Sequence, residues 1–261
     1  MMNLSAYLNR VNYPSTPSVS TETLTGLHRA HTLTVPFENL DVIRKVPIRL
    51  DPQRFYIKIV ENNRGGFCYE MNGLFKQVLD EIGFESWFIS CNVYVPALDI
   101  YGTDYGHVAL ITRVDEELYL VDVGFGDAFI EPLKLDFALP RLQYGTWYRF
   151  TQLPDEEVLL EKSADGENYT RMFKFKLTPR AFSEFAELCQ FHQVAPQAPF
   201  NKQPLCSRPT PEGRITLTGT SLTITKNGIK QEEVVQSEAE FDEKLMEYFG
   251  ISREAGATVP A

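Results

Sequence analysis

The alternation of apolar and polar positions changes period near residue 84. Before it the spacing is helical. Leu4 to Val11 reads as a short helix, broken by Asn12-Tyr13-Pro14-Ser15-Thr16-Pro17. Glu22 to Thr34 predicts a second helix with Leu24, Leu27, His28 and His31 on one face. Val35 to Leu40 reads as a compact structural corner. Phe67, Met71, Leu74, Phe75 and Val78 predict a third helix over 67–81 that gives way at Gly83. Beyond it, Phe84 to Val95 is strand-like, as are Val108 to Thr112 and Leu118 to Gly126, the last ending in glycines and joined to its predecessor by a polar turn at 114–117. Trp147–Thr151, Glu156–Leu160 and Tyr169–Leu177 are further strand candidates, separated by polar turns. Helical spacing returns from Phe182 to about His192, and a hairpin is expected from 214–218 and 221–225 around Gly219-Thr220. A final helix spans Glu238 to Phe249, ended by Gly250 and followed by a Gly/Pro-containing tail. These elements imply an α+β protein: a helical domain over 1–84, an antiparallel β-barrel with its linking helix over 85–190, and a small α/β domain over 191–261.

Composition narrows the function classes. The 261 residues include 35 acidic and 25 basic side chains, a formal net charge of −10, so a bulk basic surface for nucleic acid is absent. No apolar run approaches the roughly 20 residues that cross a membrane, and the N-terminus lacks the pattern of a secretory signal. Cys68, Cys91, Cys189 and Cys206 are too few and too widely spaced for a disulfide framework. A reducing cytoplasm suits a working thiol.

Cys68 is the first candidate for chemistry. Gly65 and Gly66 precede it, permitting a tight or left-handed backbone, and it falls in the first turn of the predicted helix. Free N–H groups and the helix dipole favour a thiolate there, and Arg64 adds positive charge if it folds inward. A buried structural cysteine fits the same local pattern. His107 opens one strand of the predicted hairpin and Asp122 lies near the end of the other, so both can meet at the same end. An acid inside an apolar strand needs a partner, and cysteine, histidine and aspartate together would make a nucleophile, a base and its orienter.

These segments resemble those of the bacterial-type arylamine N-acetyltransferases. Arg64 to Asn72, His107 with the apolar run behind it, and Asp122-Val123-Gly124-Phe125-Gly126 match the family's segments in order. Tyr7 to Val11 and Pro36-Phe37-Glu38-Asn39-Leu40 match two more, and the likeness runs from about residue 5 to about 225. The resemblance implies a cysteine-protease-like scaffold in the first two domains, with Cys68, His107 and Asp122 catalytic. It implies acetyl-CoA as acyl donor, with Thr103 near its pantetheine arm and no metal. The acceptors it implies are small aromatic amines, hydrazines or hydroxylamines, with no nucleic-acid or membrane partner and a monomeric or homodimeric state. Phe37, Phe125 and Phe200 would wall the acceptor pocket, while Arg64, Glu38 and Asn39 give structural support. Ala195 and Ala198 stand where the family usually has serines, which weakens a hydrogen-bonding role for that crossing. A thiol hydrolase or transglutaminase-like amidase could use the same three residues.

The other histidines carry less. His28 and His31 are three apart, but no nearby cysteine or acid completes a zinc set, so an exposed or capped pair beside the core is expected. His192 lies outside the hairpin and is taken as structural.

Overall fold

The structure, a computed structural model, describes residues 2–127 and 129–252; the Gly/Pro tail and the end of the predicted third domain lie outside the described residues. The first elements are α1 (Leu4–Arg10), α2 (Thr21–Thr34), β1 (Phe37–Glu38), α3 (Leu40–Ile43), α4 (Pro52–Tyr56), a π-helical turn (Ile57–Glu61) and α5 (Cys68–Ile82). Three of the helix starts have a local cause. Asn3 and Ser20 accept the free N–H groups of Ala6 and Thr23, and Pro52 sits just inside α4 behind the capping Asp51. Gly83, in the left-handed conformation at φ 100°, ends α5.

The next strands are β2 (Glu85–Val95), β3 (Ile100–Tyr101), β4 (His107–Val114), β5 (Glu117–Val121), β6 (Leu133–Lys134), β7 (Arg141–Gln143), β8 (Thr146–Gln152), β9 (Val158–Ser163) and β10 (Thr170–Phe175). All pairings are antiparallel, in the order β6-β5-β4-β2-β10-β9-β8-β7 with β3 on β2. The sheet curls into a nearly closed barrel. Side chains bridge its two ends, where Gln143 bonds the backbone of Glu131 in both directions, at 3.1 and 3.0 Å. Alternation along β4 serves two cores. Ala109 and Ile111 face the barrel interior with Phe173 and Phe175, while Val108 and Leu110 face the helical core with Leu74 and Val78 of α5. That double burial explains the unbroken apolar run after His107.

A 3₁₀ turn (Phe182–Phe185) leads into α6 (Ala186–Val194), and a second (Pro199–Asn201) precedes β11 (Leu205–Thr210), β12 (Gly213–Thr218), β13 (Ser221–Lys226), β14 (Ile229–Val234) and α7 (Glu238–Phe249). The second sheet runs β1-β11-β12-β13-β14, so its first strand comes from the N-terminal region. α7 covers one face of this sheet through Phe241, Leu245 and Phe249.

Several expectations are corrected. Val35 to Leu40 is not a compact turn: Phe37 and Glu38 are extended and pair with Ser207 and Cys206. The strand expected over 118–126 ends at Val121, leaving Asp122 just beyond it. The strand expected over 156–160 is displaced to 158–163, because Asp155 and Glu156 take left-handed turn conformations. The helix expected from Phe182 begins as 3₁₀. The elements at 51–61 and β11 follow no strict sequence period, and Pro209 masks β11.

Candidate active site

The packing of α5 on β4 brings Cys68 and His107 to one cavity of about 570 Å³, lined also by Phe37, Phe125 and Phe200 among others, with Asp122 buried behind His107. His107 Nε2 donates to Asp122 Oδ2 at 2.7 Å. The other carboxylate oxygen accepts from Asn72 Nδ2 at 2.9 Å and from the Gly124 N–H at 3.0 Å. Asn72 lies one helical turn beyond Cys68. Its amide also donates to the Val108 carbonyl and accepts from the Val123 N–H, tying α5, β4 and the end of β5 together. The sequence reading gave Asn72 no role. Its signal was a polar residue on the apolar face of a buried helix.

Gly124 supplies the clearance this junction needs. A Cβ there would lie 2.8 Å from Cys68 Cα and 2.7 Å from Asn72 Nδ2. Gly65 and Gly66, expected to allow a left-handed turn, have no positive φ. Gly65 is required for close approach instead, since its missing Cβ would sit 2.0 Å from the Pro36 carbonyl oxygen.

Arg64 does not electrify the thiol. It is buried and donates to Glu38 at 2.7 Å and Asp41 at 2.9 Å, while Lys58 joins Asp41 and Glu70 to complete a buried ion cluster. Glu70, pushed up to about 7 chiefly by burial, also accepts the Phe67 N–H at the head of α5. Burial pushes the Cys68 thiol well above its usual range and the Asp122 charge adds to this, whereas the Val108 and Tyr69 backbone N–H groups pull it back. A base that takes the proton makes such a buried sulfur nucleophilic.

The supporting residues have distinct partners. Glu38 accepts the Leu40 N–H as well as Arg64. Asn39 donates to the carbonyls of Phe200 and Gln203 and accepts from the Leu205 N–H, pinning the segment that carries Phe200. Phe37 and Phe200 touch at 5.8 Å between centroids, and Phe125 meets the His107 ring edge at 5.1 Å. Thr103 lines the same cavity.

Two of the remaining histidines differ from expectation. His28 and His31 are fully buried. His28 Nδ1 donates to the Ile130 carbonyl, leaving Nε2 to accept the Asp122 backbone N–H, and burial holds its pKa down at about 4. It is thus a neutral prop beneath the acid. His192 lines the cavity and donates to the carbonyl of Gly106, the residue before His107. Arg214, on β12, also reaches the cavity from the second sheet. Among the described residues, no group of three or more His, Cys, Asp or Glu side chains is arranged to hold a metal, and no helix is long and apolar enough to cross a membrane.

A cysteine at a helix start beside a strand-borne histidine and an acid, enclosed by aromatic walls, defines a thiol acyl-transfer enzyme. A family model described as N-acetyltransferase matches residues 20–258. Human arylamine N-acetyltransferase 1 is 30% identical over 274 residues, covering 96% of this chain and 94% of that one. The crystal structure of the Bacillus cereus NAT3 arylamine N-acetyltransferase, reported with a Cys-His-Glu triad, superposes with a TM-score of 0.88 at 30% identity, covering 97% of this chain and all of that one. The Mycobacterium marinum enzyme, solved in complex with CoA, gives 0.87 at 27% identity, with 95% and 93% covered. The chain belongs to the arylamine N-acetyltransferase family and is an acyltransferase.

Proposed function

We propose that this chain acetylates aromatic amines and arylhydrazines by ping-pong transfer from acetyl-CoA through Cys68, with N-arylhydroxylamines as further acceptors. The observation that carries the residue roles is the 2.7 Å His107–Asp122 bond within the cavity that holds Cys68. Because Nε2 is committed to Asp122, Nδ1 is the ring nitrogen left to exchange a proton with Sγ. Cys68 attacks the acetyl carbonyl as its proton passes to His107, and the tetrahedral intermediate places its negative charge near backbone N–H groups. Collapse breaks the carbon–sulfur bond to CoA, whose thiolate takes the proton from His107. The amine then attacks acetyl-Cys68, and its proton returns through His107 to regenerate the thiol.

The cycle requires donor and base to be aligned at the buried Cys68 sulfur. Thr103 borders the donor's path, and Phe37, Phe125 and Phe200 provide flat apolar surface for an aryl ring. Brief exposure to acetyl-CoA should add about 42 Da to Cys68 as a thioester, the mass of the acetyl group gained in the covalent step. An aromatic amine should discharge it. Loss of the adduct at one rate with or without amine would replace transfer by hydrolysis, and absence of the adduct would remove Cys68 as the nucleophile.

A further inference from the structure

A second cavity, of about 840 Å³, is lined on one side by α6. Its lining shares no residue with that of the triad cavity. Val42, Ile43, Ile48 and Leu50 form an apolar wall opposite Cys189 and Gln193 of α6. The wall is fastened in place: the Ile48 N–H donates to Gln193 Oε1 at 2.7 Å, and Gln193 Nε2 donates back to the Ile48 carbonyl at 2.9 Å. The cavity is therefore preformed, and its volume is that of a small-molecule site.

Its charge is opposite to that of the chain. The protein carries a net −10, yet among the described residues no carboxylate lines this cavity, while Lys45 and Arg49 both do. The acids nearest in sequence are engaged elsewhere, Asp41 by Lys58 and Arg64, and Asp51 by Arg54. An apolar wall beside two cations on an acidic protein selects against neutral polar ligands and cations.

We propose that this cavity binds a small amphipathic monocarboxylate, its apolar body against Val42, Ile48 and Leu50 and its anionic head at Lys45 and Arg49. The carboxylate meets charge-assisted donors that are screened by salt, and the body removes apolar surface from water. The site stands independently of the triad.

The experiment is calorimetric titration of the full chain with decanoate, with decanol as the neutral counterpart. Wild type should show one saturable decanoate site whose affinity falls as salt rises. The double substitution Lys45→Gln/Arg49→Gln should weaken decanoate about tenfold or more and leave decanol unchanged. Ala186→Trp, which adds bulk to the α6 wall, should remove decanoate binding while the protein keeps its helical circular dichroism and its acetyl-transfer rate. Affinity unaltered by the double substitution, binding that survives Ala186→Trp, or no saturable binding at millimolar decanoate would each overturn the proposal.

Discussion

Asn72 Nδ2 donates to Asp122 Oδ1 at 2.9 Å, and the same amide bonds the backbone of Val108 and Val123. One side chain thus fixes the acid relative to both the nucleophile's helix and the histidine's strand. Asn72→Ala should lower transfer roughly tenfold or more and destabilise the fold by about 1–3 kcal/mol, because buried partners lose their bonds. Kinetics and urea unfolding on the same variant check both effects. A variant with normal rates would make Asn72 a purely structural residue.

Asp122→Asn should reduce acyl transfer by a factor on the order of 10⁴, as the corresponding change does in a serine triad. The amide can present its NH₂ to Nε2 and stabilise the wrong tautomer. Single-turnover acetylation of Cys68 reads this directly, and near-normal rates would remove Asp122 from the mechanism.

Phe125 is half-buried between His107 and Phe173, and its ring lines the cavity. Phe125→Ser should leave a folded enzyme whose Cys68 still acetylates, while its preference among aryl acceptors shifts about tenfold or more, or about 1.4 kcal/mol. Competition between two acceptors for the preformed acetyl-enzyme measures the ratio. Loss of folding would instead make the ring a core residue.

Arg214 is a largely buried cation at a mainly apolar cavity that Asp127 also lines, and burial pulls its pKa down. Its Nη1 bonds Ser207 Oγ at 3.2 Å, but Asp127 lies 3.8 Å away and is held more closely by Lys162. The guanidinium can therefore take an anionic substituent on the acceptor. Arg214→Gln should lower kcat/KM for 4-aminobenzoate relative to 4-methylaniline about tenfold or more, with the KM for acetyl-CoA unchanged. A raised acetyl-CoA KM with an unchanged acceptor ratio would assign the cation to the donor instead.

His28 links the acid's support to pH. Burial lowers its folded-state value from 6.5 to about 4, so between those values the unfolded chain binds a proton that the native state does not. This contribution is fully present above pH 6.5 and lost as pH falls toward 4, a total on the order of 3 kcal/mol. His31, also lowered by burial, acts in the same direction. Glu70 acts oppositely, since its raised value makes the native state bind the proton first as pH falls below about 7. The test is the change in urea midpoint from pH 7 to pH 5, which should be smaller in His28→Gln than in wild type. Equal changes would exclude His28 as a source of acid sensitivity.

The sequence by itself determined the local elements and the order of the chemical groups. Helical spacing from Phe67 to Val78 placed Cys68 at a helix start, and the short polar turn at 114–117 made His107 and Asp122 neighbours, because hairpin pairing follows from a few adjacent residues. The resemblance carried Phe37, Phe125 and Phe200 to a shared pocket, and all three line the triad cavity. Tertiary structure alone decided where charge and polarity are spent. Arg64 turns from the thiol to Glu38 and Asp41, which are 26 and 23 residues away. Asn72 and His28 become the supports of Asp122 across separations of 50 and 94 residues. Arg214 enters the cavity from a sheet whose first strand lies at residues 37–38. A buried polar group must satisfy its bonds with whatever packing brings within about 3 Å, and local periodicity carries no information about partners so distant along the chain.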